Sequence, residues 1–433
     1  MVVSRLWQSN KLLQAVAAGR FRTQLGLVGR FTVYQVVIQA VGFGCGILIV
    51  RTLPKGEYAL FTIAGSLLSA MTAVADSGLP TAVMALGGQV WQDRDQLGGV
   101  LNHVFRLRRR LGWVSALVGL PLLLWMLCRN GASWPYAALI SGVVLAIFYQ
   151  NLSIGLLTIL PKLHARLDRI QKLELAAAVT RAGTLVAILP FGFSAFVATL
   201  ASLASAAVQR LGYSRWRGEF ANITAKPTSE VRARTRAIFR RAFPQSVFFA
   251  VYSQVGVWLI SVLGTAKNVA DLGALTRLAA ATVLLNVILN NFVVPHYAKL
   301  KDERALGSRY FQFTALYASP FILLLTACAL VPSLLLWVLG PKYGSLHREL
   351  LLMGFSTFCG SFMTVTLALN LARGWVLPVW NAIGIGLATQ IMLIATLDLS
   401  KVTGVLWMNA LVSLVGTLQN LWLMRSHTKC ASA

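Results

Sequence analysis

The chain has 433 residues, 57% of them apolar and 12% charged, with a mean hydropathy of +0.69. This composition excludes a water-soluble globular enzyme, which needs far more charge to cover a hydrated surface. The 39 Lys and Arg outweigh 13 Asp and Glu to leave a net charge of +26; because the basic residues fall between apolar runs, the expected partner is an anionic membrane leaflet and not a nucleic acid.

Residues 1–24 carry Arg5, Lys11, Arg20 and Arg22 but lack the continuous apolar core of a cleavable leader. Val2, Leu6, Leu13 and Val16 recur at helical spacing and predict an amphipathic helix on the membrane surface. Apolar runs then predict twelve spans, at 25–50, 57–78, 111–128, 136–160, 173–190, 194–213, 244–264, 271–296, 310–331, 349–371, 375–397 and 403–424. The predicted fold class is an all-α integral membrane protein. Its N-terminal six-helix lobe covers 25–213, a basic linker 214–243, and a second six-helix lobe with a short tail 244–433.

Lys and Arg alternate between the two sides of this scheme. Thirty belong to the N-terminus, the loops after even-numbered spans and the C-terminus, whereas the opposite loops hold seven: Arg51, Lys55, Arg129, Lys267, Lys342, Arg348 and Lys401. Retained loops are the basic ones, so both termini are expected to be cytoplasmic. Arg181 and Arg277 remain, inside predicted spans.

A repeat divides the chain. Glu57-Tyr58-Ala59-Leu60-Phe61 opens a long apolar helix with Pro80 near its end; about 215 residues later Asp271-Leu272-Gly273-Ala274-Leu275 opens another, ending at Pro295. Six spans separate the copies, so the halves share one orientation about an axis along the membrane normal. Between them Arg232, Arg236 and Arg240, at i, i+4 and i+8 after a Ser229 cap, predict a basic surface helix. That helix reads either as a solvated linker or as a docking site for a partner enzyme.

Signatures of catalysis are missing: there is no phosphate-binding Gly-Lys-Ser/Thr loop, no His pair at metal spacing and no nucleophile elbow. Gly42-Phe43-Gly44-Cys45-Gly46 lies inside an apolar span and reads as close helix packing. The cysteines Cys45, Cys128, Cys328, Cys359 and Cys430 are scattered and read as small packing residues. No catalytic residue, metal or cofactor is therefore expected.

The informative residues are polar groups inside spans, since a charge facing lipid is costly and turns toward a cavity or a partner. Arg181 shares a helix face with Glu174 and reads as either half of an ion pair or a cavity cation. Arg277 and Arg30 lie nearer span ends, where a boundary anchor is the alternative. Gln35 and Gln39 in span one, Asn151 in span four, and Asn286 and Asn290 in span eight read as either interhelical hydrogen bonding or the lining of a wet cavity.

The stretch Arg51-Thr52-Leu53-Pro54-Lys55-Gly56-Glu57-Tyr58-Ala59-Leu60, with Asp76-Ser77-Gly78-Leu79-Pro80-Thr81-Ala82, resembles the opening of polysaccharide transporter family flippases. Gly273-Ala274-Leu275-Thr276-Arg277-Leu278, Val294-Pro295-His296-Tyr297-Ala298-Lys299-Leu300 and Leu339-Gly340-Pro341-Lys342-Tyr343 extend the likeness into the second half. The family belongs to the multidrug/oligosaccharidyl-lipid/polysaccharide exporter superfamily. The resemblance implies two lobes around a central cavity and alternating-access transfer of an undecaprenyl-pyrophosphate-linked oligosaccharide across a bacterial inner membrane, with polysaccharide polymerase or glycosyltransferases as partners. Arg30, Gln35, Asn151, Arg181, Arg277, Asn286 and Asn290 would then line the substrate path, with Arg181 and Arg277 on opposite lobes and at different depths. A cation-coupled drug exporter of the same superfamily would instead require cavity carboxylates, and a noncatalytic scaffold of a polysaccharide synthesis complex would require no wet cavity.

Overall fold

The structure, a computed structural model, describes residues 33–222, 224–298, 300 and 306–432. The expected N-terminal amphipathic helix and Arg30 lie outside the described residues. Among the described residues there are helices and turns but no strand.

The first lobe contains α1 (Val33–Thr52), α2 (Lys55–Asp76), α3 (Leu79–Gln89), α4 (Arg94–Arg129), α5 (Trp134–Leu157), α6 (Ile159–Leu163), α7 (Leu167–Ile188) and α8 (Ala195–Phe220). The second contains α9 (Ser229–Tyr252), α10 (Val255–Leu263), α11 (Ala266–Ala279), α12 (Val283–Ile288), α13 (Val294–Ala298), α14 (Leu306–Leu330), α15 (Pro332–Leu339), α16 (His347–Ala372), α17 (Val379–Thr396) and α18 (Val402–Ser432). Ten helices are long and apolar enough to cross a membrane, and the α9–α10 pair, bent by 41°, is an eleventh. The twelfth membrane position is α7, 22 residues long, whose Asp168, Arg169, Lys172, Glu174 and Arg181 dilute its apolar character. The chain is a multi-pass helical membrane protein of two six-helix lobes.

Local chemistry sets the helix starts. Asp93 accepts the amides of Asp95 and Gln96 at 2.9 and 3.0 Å to cap α4, and Thr228 and Thr265 accept one amide each at 3.3 Å to cap α9 and α11. The two repeat copies differ in a further detail. Pro80 is the second residue of α3, where the missing N–H leaves no helical acceptor empty, whereas Pro295 lies inside a continuous helix just after the π-helical turn Leu289–Val293.

Packing distinguishes the two ends of the molecule. At the end carrying the α1–α2 turn, one continuous core joins both lobes: Ile49, Tyr58 and Ile63 of the first pack in a cluster with Leu272, Leu275 and Leu350 of the second. Toward the α3 end each lobe has its own cluster, around Leu101 and Leu156 in the first and around Tyr310 and Leu369 in the second. The lobes therefore share one core at the Arg51 end and have separate cores at the α3 end, where α9 of the second lobe lies across α2, α3 and α4 of the first.

The linker differs from its predicted form. Helix α8 continues through Phe220, the cap of α9 is Thr228 in place of Ser229, and α9 runs through Pro244 without a break. An interior proline costs about 3 kcal/mol. Contact of α9 with α2, α3 and α4 holds the helix together across that position.

Candidate functional site

The cleft between the lobes contains a cavity of about 390 Å³ bounded by α1 and the α11–α12 segment. From α1 it takes Val36, Gln39, Phe43 and Gly46; from the other side it takes Arg277 and Leu284. The Arg277 stem packs against α1 at Gly46, where even a Cβ would stand 3.5 Å from Arg277 Cδ, an ordinary contact. The guanidinium is held loosely, with Nε 3.4 Å from the Tyr58 hydroxyl and Cζ 5.8 Å from the centre of the Phe61 ring.

Arg181 approaches the same turn of α1 from α7. Its charge acts on Cys45, the residue before Gly46, and it feels the charge of Arg277. Arg181 and Arg277, from opposite lobes, are thus near enough for their charges to interact. Arg181 and Glu174 form no salt bridge; Glu174 lies near Gln35 of α1 and in the field of Lys162. Seven residues of helix separate Glu174 and Arg181 by about 10.5 Å along the axis, too far for a salt bridge even on one face. Arg181 Nε is buried without a hydrogen-bond partner.

Carboxylates near the spans are all occupied elsewhere. Asp76 pairs with Arg108. Asp271 pairs with Lys55 at 2.6 Å. Glu57 accepts the Tyr136 hydroxyl at 2.6 Å and the Ala195 amide at 2.7 Å. None lines the 390 Å³ cavity. Among the described residues the wall of this cavity carries Arg277 and no carboxylate, and such a site favours an anionic ligand that can accept hydrogen bonds from guanidinium.

Other predicted site residues are placed elsewhere. Asn286 accepts the Tyr317 hydroxyl of α14 at 2.8 Å and so clamps two helices of one lobe. Asn290 is exposed and donates to the Asn286 carbonyl of its own helix at 2.8 Å. Asn151 lies on α5, which packs against α4 and α8 and contributes nothing to the cavity wall. Gln35, on α1, is not among the residues lining the cavity.

Several working residues were not singled out from the sequence. Arg108, counted there among loop cations, is 1% exposed and donates to the Leu152 carbonyl at 2.7 Å as well as to Asp76. Gly155 makes room for it, since a Cβ there would fall 2.6 Å from the guanidinium. At the Arg51 end a cross-lobe latch gathers. Arg51 Nε donates to the Val338 carbonyl at 2.9 Å while its guanidinium lies 4.8 Å from the centre of the Trp337 ring. Lys342 reaches back to the Arg51 and Leu53 carbonyls, and Arg129 donates to the Val262 carbonyl at 2.7 Å.

The fold is a two-lobed helical membrane fold with a charged cleft between the lobes. Among solved structures the chain is similar to an inward-facing multidrug resistance MATE family transporter of the MOP superfamily, with TM-score 0.69, 17% identity, and coverage of 93% of this chain and 100% of that one. It is similar also to the lipid II flippase MurJ in an inward closed conformation, with TM-score 0.69, 11% identity, and coverage of 91% and 87%. An outward-facing MATE transporter aligns with TM-score 0.53, 15% identity, and coverage of 92% and 94%. No protein-family model and no curated protein matches the chain. The fold is the one that these MATE transporters and this flippase share.

Proposed function

We propose that the chain is a flippase that carries undecaprenyl-pyrophosphate-linked oligosaccharide repeat units from the inner to the outer leaflet of a bacterial inner membrane for surface or exopolysaccharide synthesis. The observation that carries this reading is Arg277 in the wall of the cleft cavity, with Arg181 near enough to feel its charge and no carboxylate among the lining residues. A pyrophosphate carries at least two negative charges and several acceptor oxygens, which suit two guanidiniums in a partly dry cleft. The sugar would occupy the cleft while the prenyl tail stays in lipid. A fold shared with a lipid II flippase supports this reading.

The excess of thirty basic residues over seven supports cytoplasmic termini and a cytoplasmic α3 end. In that orientation the latch at Arg51, Lys55 and Lys342 closes the outer side, and the cleft accepts substrate from the inner leaflet. Opening the latch and closing the α3 end would deliver the headgroup outward. The exposed basic face of α9 then lies where polymerase or glycosyltransferase partners would work.

The test is transfer in proteoliposomes of purified protein. A lipid-linked oligosaccharide should become accessible to an added sugar-modifying reagent on the far leaflet, and a cationic dye should not be moved by a proton or sodium gradient. Dye movement without glycolipid transfer would replace this reading with that of a cation-coupled multidrug exporter.

A further inference from the structure

The first lobe holds a second charged cavity, remote from the cleft. About 540 Å³ in volume, it lies at the α3 end between α4, α5, α8 and the segment before α9. Arg106 and Arg109 of α4, Arg210 and Arg217 of α8, and Lys226 line it, and none of its lining residues is acidic. Two of the arginines are pre-positioned. Arg217 Nη2 donates to Asn102 Oδ1 at 2.6 Å with its guanidinium 5.1 Å from the centre of the Phe105 ring, and Arg210 sits 4.9 Å from the centre of the Tyr149 ring. Arg217 Nε is buried and lacks a hydrogen-bond partner. Five cations in one pocket repel one another unless an anion neutralises them.

Directly along the same seam lies an apolar groove of about 650 Å³, lined by Pro135, Ala138, Gly142 and Ala146 of α5 and by Phe196 and Leu203 of α8. Ala146 of the groove and Tyr149 of the pocket are three residues apart on α5, about one helical turn. Leu203 and Arg210 are seven apart on α8, about two turns. Pocket and groove therefore form one track on one face of the α5–α8 pair, basic at the α3 end and apolar beyond it.

We infer that this track binds an anionic phospholipid of the adjoining leaflet, with its phosphate headgroup among Arg106, Arg109, Arg210, Arg217 and Lys226 and an acyl chain running into the α5–α8 groove. Charge complementarity selects the headgroup, and the continuity of the groove selects a lipid over a soluble anion. The site is separate from Arg181 and Arg277 and does not depend on what the cleft carries.

The test uses the full chain in detergent micelles, with native mass spectrometry of retained phosphatidylglycerol, phosphatidylcholine and inorganic phosphate. Wild type should retain phosphatidylglycerol over phosphatidylcholine. The double variant Arg109→Gln/Arg210→Gln, which removes two pocket cations that make no ion pair, should weaken retention about tenfold or more. Ala146→Trp, which fills the groove and leaves every cation in place, should weaken it as well, and this second variant keeps the test decisive if the first does not fold. Arg232→Gln/Arg236→Gln/Arg240→Gln on α9 should leave retention unchanged. Equal retention of both lipids by wild type, or undiminished retention by both track variants, would overturn the site. Displacement of the lipid by inorganic phosphate with Ala146→Trp silent would assign the pocket to a soluble anion, and loss in the α9 variant would assign the effect to that surface; either result overturns the inference.

Discussion

Lys55 and Asp271 are joined across the two lobes by an ion pair of 2.6 Å, and they stand at the openings of the two repeat-related helices α2 and α11. Glu57, two residues after Lys55 and the repeat counterpart of Asp271, is used within its own lobe, where it accepts from Tyr136 and from the first amide of α8. One sequence feature thus serves as a lobe-to-lobe contact in one copy and as an internal brace in the other.

The two partners of that pair differ in exposure, with side chains 20% and 5% accessible for Lys55 and Asp271. Removing one partner of a buried pair costs about 3–5 kcal/mol when the other is left uncompensated. Lys55→Ala strands Asp271 and should destabilise more than Asp271→Asn, which leaves a lysine able to reach solvent. Thermal unfolding of both variants and their double should show this order and a double variant milder than Lys55→Ala; equal or reversed losses would contradict it.

Gly155 has no side chain because Arg108 occupies the space. Gly155→Ala should cost about 1–3 kcal/mol, the usual range for overpacking, and most of the loss should vanish in an Arg108→Met background. A penalty that persists there would mean that the glycine matters for some other reason.

His103 lies on the part of α4 that precedes its apolar run. Burial, followed by the charges of Arg106, Arg232, Arg236 and Arg110, holds its pKa below the usual imidazole value. Below about pH 6.5 the unfolded chain takes up a proton that the folded chain refuses, so this residue lowers stability as pH falls through that value and has no effect above it. Unfolding midpoints measured between pH 5 and 8 should fall less steeply toward acid for His103→Gln than for wild type. Superimposable profiles would remove His103 from the acid response.

Glu57 fixes the start of α8. Glu57→Ala should cost about 1–3 kcal/mol by leaving the Ala195 amide and the Tyr136 hydroxyl without their acceptor, with Glu57→Gln milder because its carbonyl still accepts. Hydrogen exchange at Ala195 and Phe196 reads this locally; unchanged protection in Glu57→Ala would contradict the assignment.

Legibility in the sequence followed the length of the signal. Ten of the expected spans coincide with helices long and apolar enough to cross a membrane because each carries a long apolar run, and the repeat is visible because Pro80 and Pro295 punctuate both copies. Helices α3, α6 and α15 were not foreseen, since 5 to 11 residues at a span end merge with the neighbouring apolar run. Arg108 read as a loop cation because α4, at 36 residues, extends well beyond its apolar part. In the cleft, Arg277 was legible from its isolation in a span. The Glu174 alternative for Arg181 failed because helical periodicity says which residues share a face but not that Gln35 of α1 stands against it. Asn286 could not be separated from a cavity residue without knowing that Tyr317 faces it.

Arg181 and Arg277 give the most direct test of a pyrophosphate-binding cleft: outward transfer of lipid-linked oligosaccharide by Arg181→Ala, Arg277→Ala and the corresponding Lys variants in proteoliposomes, with membrane abundance measured alongside. Each alanine should lose about 1.5–3 kcal/mol of headgroup binding, the range for hydrogen bonds to charged groups, which is about 10- to 150-fold in transfer at low substrate. Each lysine should recover part of that loss, at unchanged abundance. Wild-type transfer by both alanine variants at normal abundance would contradict the role of the two arginines.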